Sequence, residues 1–273
     1  MEYFKHYQVW IASLILFLVF CKGFLEPLYI MIFKKLPLNH LYLFPKKLNE
    51  QEQKILDKNY KFYRNLKPKY RRSFNHKIKF FLKKYEIIGK EDLEITDEIK
   101  LLIAGSFVQL TFGLNVKSIG NFKRIILYPQ EYFSKLNKTY HKGEYNPTFK
   151  TVVFSWKDFV LGNEIKNDNI NLGIHEFSHV ILFHKRKIQK DSNFFFFILK
   201  YEQIVKMLQN EDYLKKIKSS GFLRDYAFKN KMEFIAILLE HFYENPNELK
   251  IRFPEIYTKV KAMIGYQNAW FKS

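Results

Sequence analysis

The chain has 273 residues, 47% apolar, 18% aromatic and 27% charged, which is enough to bury a core of its own. That composition excludes a disordered tail, a collagen-like fibre and a disulfide-stapled mini-protein; Cys21 is the single cysteine, so any metal must be held by His, Asp or Glu. The net charge of +19 rests on 46 basic residues, only seven of them Arg, spread along the chain without a nucleic-acid-binding motif; it reads as a solvated Lys-rich surface.

Val9–Cys21 is an unbroken apolar run (VWIASLILFLVFC), and Phe24–Phe33 prolongs it past Lys22 and Gly23, with Glu26 and Pro27 inside. The first run alone falls short of the roughly 20 residues a helix needs to cross a bilayer; Val9–Phe33 as a whole is long enough. Val19 and Phe20 before Cys21 provide neither a small-residue cleavage site nor a lipoprotein box, so the segment reads as an uncleaved membrane anchor. Lys34, Lys35, Lys46 and Lys47 follow it, against Lys5 before it. The positive-inside rule then predicts a body facing the cytoplasm from a bacterial inner membrane. Residues 1–45 are expected to be anchor and linker, and 46–273 the working domain.

After the Pro-punctuated stretch Pro37–Pro45, the pattern predicts an amphipathic helix over Asn49–Leu66, then helices over Phe74–Tyr85 and Asp97–Phe112. The last of these opens on Thr96 with an acidic first turn. Arg124–Tyr128 (RIILY) and Thr151–Ser155 (TVVFS) read as strands. Everything after Asp168 reads as helical, broken near Gly221 and at Asn245-Pro246. The sum is a mostly helical α+β domain with a small sheet.

His175-Glu176-Phe177-Ser178-His179 is an H-E-x-x-H run. On a helix, positions four apart share a face, so both imidazoles reach one zinc ion, while Glu176 stands beside it as general base for the attacking water. Asp168 or Asn169 is placed to cap that helix. A catalytic zinc takes three protein ligands. Asn230 followed by Glu233 three residues later resembles a cap opening the helix Lys231–Tyr243, and Glu233 there is placed to face the first helix. Glu240, seven residues on and so on about the same face, is the second candidate.

The ordered motifs TVVFSW, N-x-x-x-H-E-F-S-H and D-Y-A-x-x-N-x-x-E-F-I-A-x-x-x-E-x-F resemble the Mlc titration factor A family of zinc-dependent peptidases. So do Glu50–Gln53, Leu93–Leu114, Phe122–Pro129 and Arg252–Tyr257, so the likeness runs from about Asn49 to Tyr266. It implies a zincin-like (gluzincin) fold, one zinc ion on His175, His179 and Glu233, and Glu176 as catalytic base. The family resembles the catalytic domain of anthrax lethal factor, where a tyrosine seven residues before the third ligand faces the site. Tyr226 has that spacing, which implies that its hydroxyl stabilises the oxyanion. Members act as aminopeptidases on small peptides, and one binds a glucose-responsive repressor. That makes peptides the substrate class and a regulatory protein a second kind of partner.

The chain departs from the family in three ways. Leu182 stands where members carry an Asp that would orient a ligand, which motivates an alternative reading as a catalytically weak or inactive zinc-binding regulatory protein. His141 lies too close to Gly143 to match the upstream histidine of some members, and the N-terminal anchor is unlike the soluble members. A peptide substrate is expected to lie along a strand edge, with Thr151–Trp156 the candidate.

Overall fold

The computed structural model describes residues 2–25, 28–29, 32, 40, 42–114, 122–134, 138–165, 168–188 and 194–272. Glu26, Pro27, Lys34 and Lys35 of the anchor and its flank, and Pro37, Leu38, Asn39 and Leu41 of the stretch Pro37–Pro45, lie outside these residues. The chain divides into two compact units, Met1–Asn39 and His40–Ser273.

The first unit is α1 (Glu2–Phe20), running on through a π-helical turn at Cys21–Leu25. Its stretch His6–Leu25 counts 20 residues with a mean hydropathy of 2.0 and is long and apolar enough to cross a membrane, a description a signal sequence also meets.

In the second unit, the helix expected over Asn49–Leu66 is broken in two. Asn49 caps α2 (Glu50–Asn59) with a capping box closed by Glu52. At Tyr60 the backbone turns extended, because its ring is drawn into the core over Gly105 and its hydroxyl bonds the Leu102 carbonyl; α3 (Lys61–Asn65) follows. The next helix starts earlier than the apolar pattern showed, at Pro68, whose fixed φ suits a first helical position: α4 is Pro68–Lys84. α5 (Asp97–Thr111) is capped by Thr96 as expected.

A four-stranded sheet has the order β1-β2-β6-β5. β1 (Glu86–Gly89), β2 (Arg124–Tyr128) and β6 (Thr151–Ser155) are parallel; β5 (Gly143–Asn146) closes one edge, antiparallel to β6. β3 (Tyr132–Ser134) and β4 (Thr139–His141) form a separate hairpin. β2 and β6 stand where the sequence put them. The short strands β1, β3, β4 and β5 carry too little alternation to be read from it. Thr151–Ser155 is an interior strand paired on both sides, which corrects the expectation of a peptide along its edge; the edge strands are β1 and β5.

The rest is helical: α6 (Trp156–Glu164), α7 (Leu172–Ile188), α8 (Phe195–Met207), α9 (Glu211–Ser219), a 3-10 turn (Asp225–Phe228), α10 (Lys231–Glu244), α11 (Pro246–Arg252) and α12 (Pro254–Met263). Among the described residues the domain is thus mostly helical with a small mixed sheet, the α+β class expected. Its core is strongly aromatic; Phe81, Phe107, Phe122, Phe154 and Phe177 interlock between α4, α5, the sheet and α7.

Candidate metal centre

Asn171, not Asp168 or Asn169, caps α7. Its Oδ1 accepts the Ile174 N–H (3.0 Å) and its carbonyl takes the His175 N–H (2.9 Å). Asp168 instead accepts the Ile170 N–H, and Asn169 adopts a positive φ. Phe177 is fully buried, with ring centroids 5.1 Å from Phe107 and 5.4 Å from Phe154. At about 100° per residue, Phe177 stands opposite His175 while His179 is close to it in angle. Seating Phe177 in the core therefore turns both imidazoles the other way.

They meet α10. Its N-cap Asn230 accepts the N–H groups of Met232 (2.8 Å) and Glu233 (3.0 Å). Glu233 does not reach back to the cap. Its Oε2 lies 3.1 Å from His175 Nε2 and 3.5 Å from His179 Nε2, and the two ring nitrogens are 3.1 Å apart. His175, His179 and Glu233 are the group among the described residues able to hold a metal ion. Glu233 Oε2 is buried, yet neither nitrogen is aligned on it as a hydrogen bond. Three donors pressed together without that alignment fit a cation. Bonds of about 2.05 Å at tetrahedral angles would separate ligand atoms by about 3.3 Å, close to the spacings found.

Glu240 lies beside the cluster but outside the group of three donors. Buried at 1% exposure, it accepts His175 Nδ1 at 2.7 Å and the Asn171 N–H at 2.8 Å. Arg224 grips the same carboxylate with Nη2 at 2.6 Å and Nη1 at 3.3 Å. The second-candidate ligand thus meets the other nitrogen of His175: with Nδ1–H given to Glu240, the Nε2 lone pair faces the cluster. Among the described residues no side chain does this for His179, and Leu182 is buried in the core.

The cluster is electrostatically acidic. Burial works to lower the pKa of His175, but Glu233, Glu240 and Glu176 outweigh it and lift it to about 10. Burial likewise works to raise Glu233, yet the two imidazoles hold its carboxyl well below the usual range. Burial pushes Glu176 up, opposed by His175 and His179.

Glu176 is buried beside the cluster, directly under the edge strand. A Cβ added to Gly143 would come within 2.8 Å of Glu176 Cγ and Oε1. Tyr226, in the 3-10 turn, is 48% exposed with its ring centroid 6.5 Å from that of His175; burial, then Glu233 and Glu176, raise its hydroxyl pKa. Arg224, Asn171 and Gly143 escaped the sequence reading. Asn171 carried a signal, an Asn four residues before His175, but neighbouring Asp168 and Asn169 offered the same capping chemistry.

One curated relative is a protein of Synechocystis sp. (strain ATCC 27184 / PCC 6803 / Kazusa), the uncharacterized protein slr2042, 25% identical over 238 residues that cover 79% of this chain and 83% of that one. The family described as glucose-regulated metallo-peptidase M90 matches residues 39–264, the segment that contains the whole donor cluster and its supports. The chain belongs to that family of metallopeptidases, the Mlc titration factor A family its motifs resemble.

Proposed function

We propose that the chain is a zinc metallopeptidase of the aminopeptidase type, with His175, His179 and Glu233 as ligands. The observation that carries this is the convergence of three donors at near-tetrahedral spacing with Glu176 buried beside them. Zinc suits two imidazoles and one carboxylate, and when bound it polarises a scissile carbonyl and acidifies water.

The chain's own residues do the rest. Glu240 and Arg224 fix the His175 ring, so one ligand is preorganised. Glu176 receives the proton of the attacking water and passes it to the leaving amine, a role its burial-raised pKa favours. The Tyr226 hydroxyl donates to the carbonyl oxygen as negative charge develops there. A peptide adds as a strand along β5, the edge strand that lies over Glu176, and Gly143 leaves room for Glu176 beneath it. His6–Leu25 anchors the chain in the inner membrane, and residues 46–273 form the peptidase domain facing the cytoplasm.

The test is hydrolysis of short peptides with free and with acetylated N-termini by the full chain and by Glu176→Gln. Cleavage restricted to free N-termini and lost in Glu176→Gln supports the reading. Metal binding without turnover on either set favours the regulatory alternative, for which the missing carboxylate at Leu182 is the motive.

A further inference from the structure

The edge strand over Glu176 carries a second carboxylate that takes no part in the proton transfers. β5 turns Gly143 towards Glu176, so by alternation Glu144 projects from the opposite face. There it meets the β3–β4 hairpin: the Tyr132 hydroxyl stands 3.4 Å and the Ser134 hydroxyl 3.5 Å from its Oε2. Both contacts are long for a charged acceptor, and both fall on one oxygen. Burial, then Glu144 and Glu176, raise the pKa of Tyr132, so both carboxylates act on one phenol and it stays a donor. Glu144 is half-buried, and among the described residues it forms no ion pair; Lys142, two positions before it, is taken by Asp158 at 2.8 Å and Glu131 at 3.5 Å. A half-buried carboxylate with loose neutral donors and no counter-ion is a receptor for a cation. No group of three metal-ligating side chains among the described residues includes it, which favours a cationic substrate group over a metal.

Gly143 marks the level of Glu176 along β5, and hence of the bond to be cleaved. A peptide laid antiparallel on β5 puts the residue before that bond alongside Glu144. Where that residue is the first of the peptide, its nitrogen is an ammonium, largely charged at pH 7; in an internal segment it is a neutral amide. We propose that Glu144 receives the α-ammonium of the substrate, braced by Tyr132 and Ser134, and so confines cleavage to the first peptide bond. An internal segment would set a neutral amide against the carboxylate and gain no charge pairing. The role in cleavage rests on the metallopeptidase reading; the ammonium contact is a binding event that needs no turnover.

The experiment uses the full chain, zinc-loaded, and one tripeptide amide in three forms: with a free N-terminus, acetylated, and with hydrogen in place of the α-amino group. Binding is measured by calorimetric titration in a Glu176→Gln background, which does not consume the peptide, and hydrolysis in the chain that keeps Glu176. The free peptide is expected to bind about ten-fold more tightly than both neutral forms. Glu144→Gln should erase that margin and Glu144→Asp keep part of it; in hydrolysis, Glu144→Gln should raise KM for the free peptide more than it lowers kcat. Equal binding of the three forms before Glu144 is changed, or a margin that survives in Glu144→Gln, overturns the assignment. So does an acetylated peptide with lysine first that matches the free one, since the carboxylate would then read a side chain. A chain that shows the margin and its loss but hydrolyses no peptide keeps the ammonium site and refutes the peptidase reading instead.

Discussion

At the scale of single residues, the site is organised around His175, whose two ring nitrogens are spoken for on opposite sides by Glu233 and Glu240. Arg224→Met would take the guanidinium from the buried Glu240 and leave it to His175 and the Asn171 N–H alone. It is expected to cost about 3 kcal/mol of stability and to weaken metal binding about 10- to 100-fold, with Arg224→Lys intermediate; chelator competition and chemical denaturation measure both. Glu176→Gln is expected to lower turnover by about 10²–10⁴ with metal retained. Away from the site, His40 stacks on Phe112 at 4.4 Å and bonds Ser73, and burial, reinforced by Lys77 and Lys69, pushes its pKa down to about 2. The unfolded chain takes up this proton near pH 6.5 and the folded chain does not. Stability on this account is full above that pH and declines below it. Between pH 6.5 and 5 the loss is about 1–2 kcal/mol, and His40→Phe should flatten the pH dependence of denaturant unfolding by that amount.

At the scale of elements, two helix starts set the geometry. Asn171 and Asn230 cap the helices that carry the three donors, and Phe177 sets the rotation of the first. Phe177→Ala is expected to cost about 3–5 kcal/mol and to loosen both histidines, so metal affinity should fall with stability. Asn230→Ala removes one cap, about 1 kcal/mol, and frees the turn that aims Glu233. Spacing made part of this legible: a step of four from His175 to His179, and of three from Asn230 to Glu233, defines faces of a helix whatever surrounds them. It left Glu240 ambiguous, because a residue seven on shares the face, and only packing decides which nitrogen of His175 it meets. The edge strand was illegible for a related reason. Gly-Glu-Tyr-Asn has no strand pattern of its own, and β5 exists because β6 lies beside it to bond its backbone. Arg224 and Glu240 are sixteen residues apart and meet through tertiary packing alone.

At the scale of the whole molecule, the chain divides into the units Met1–Asn39 and His40–Ser273. The anchor reading predicts that the full chain floats with lipid vesicles and that a chain lacking His6–Leu25 does not; a full chain recovered only in the aqueous phase would contradict it. For the second unit, metal content is the most direct test. Elemental analysis of the purified full chain, beside Glu233→Ala and His179→Ala, should find about one zinc per chain in the parent and a large loss in both variants. A parent chain that carries no zinc after supplementation, or a Glu233→Ala chain that stays fully loaded, would contradict the assignment.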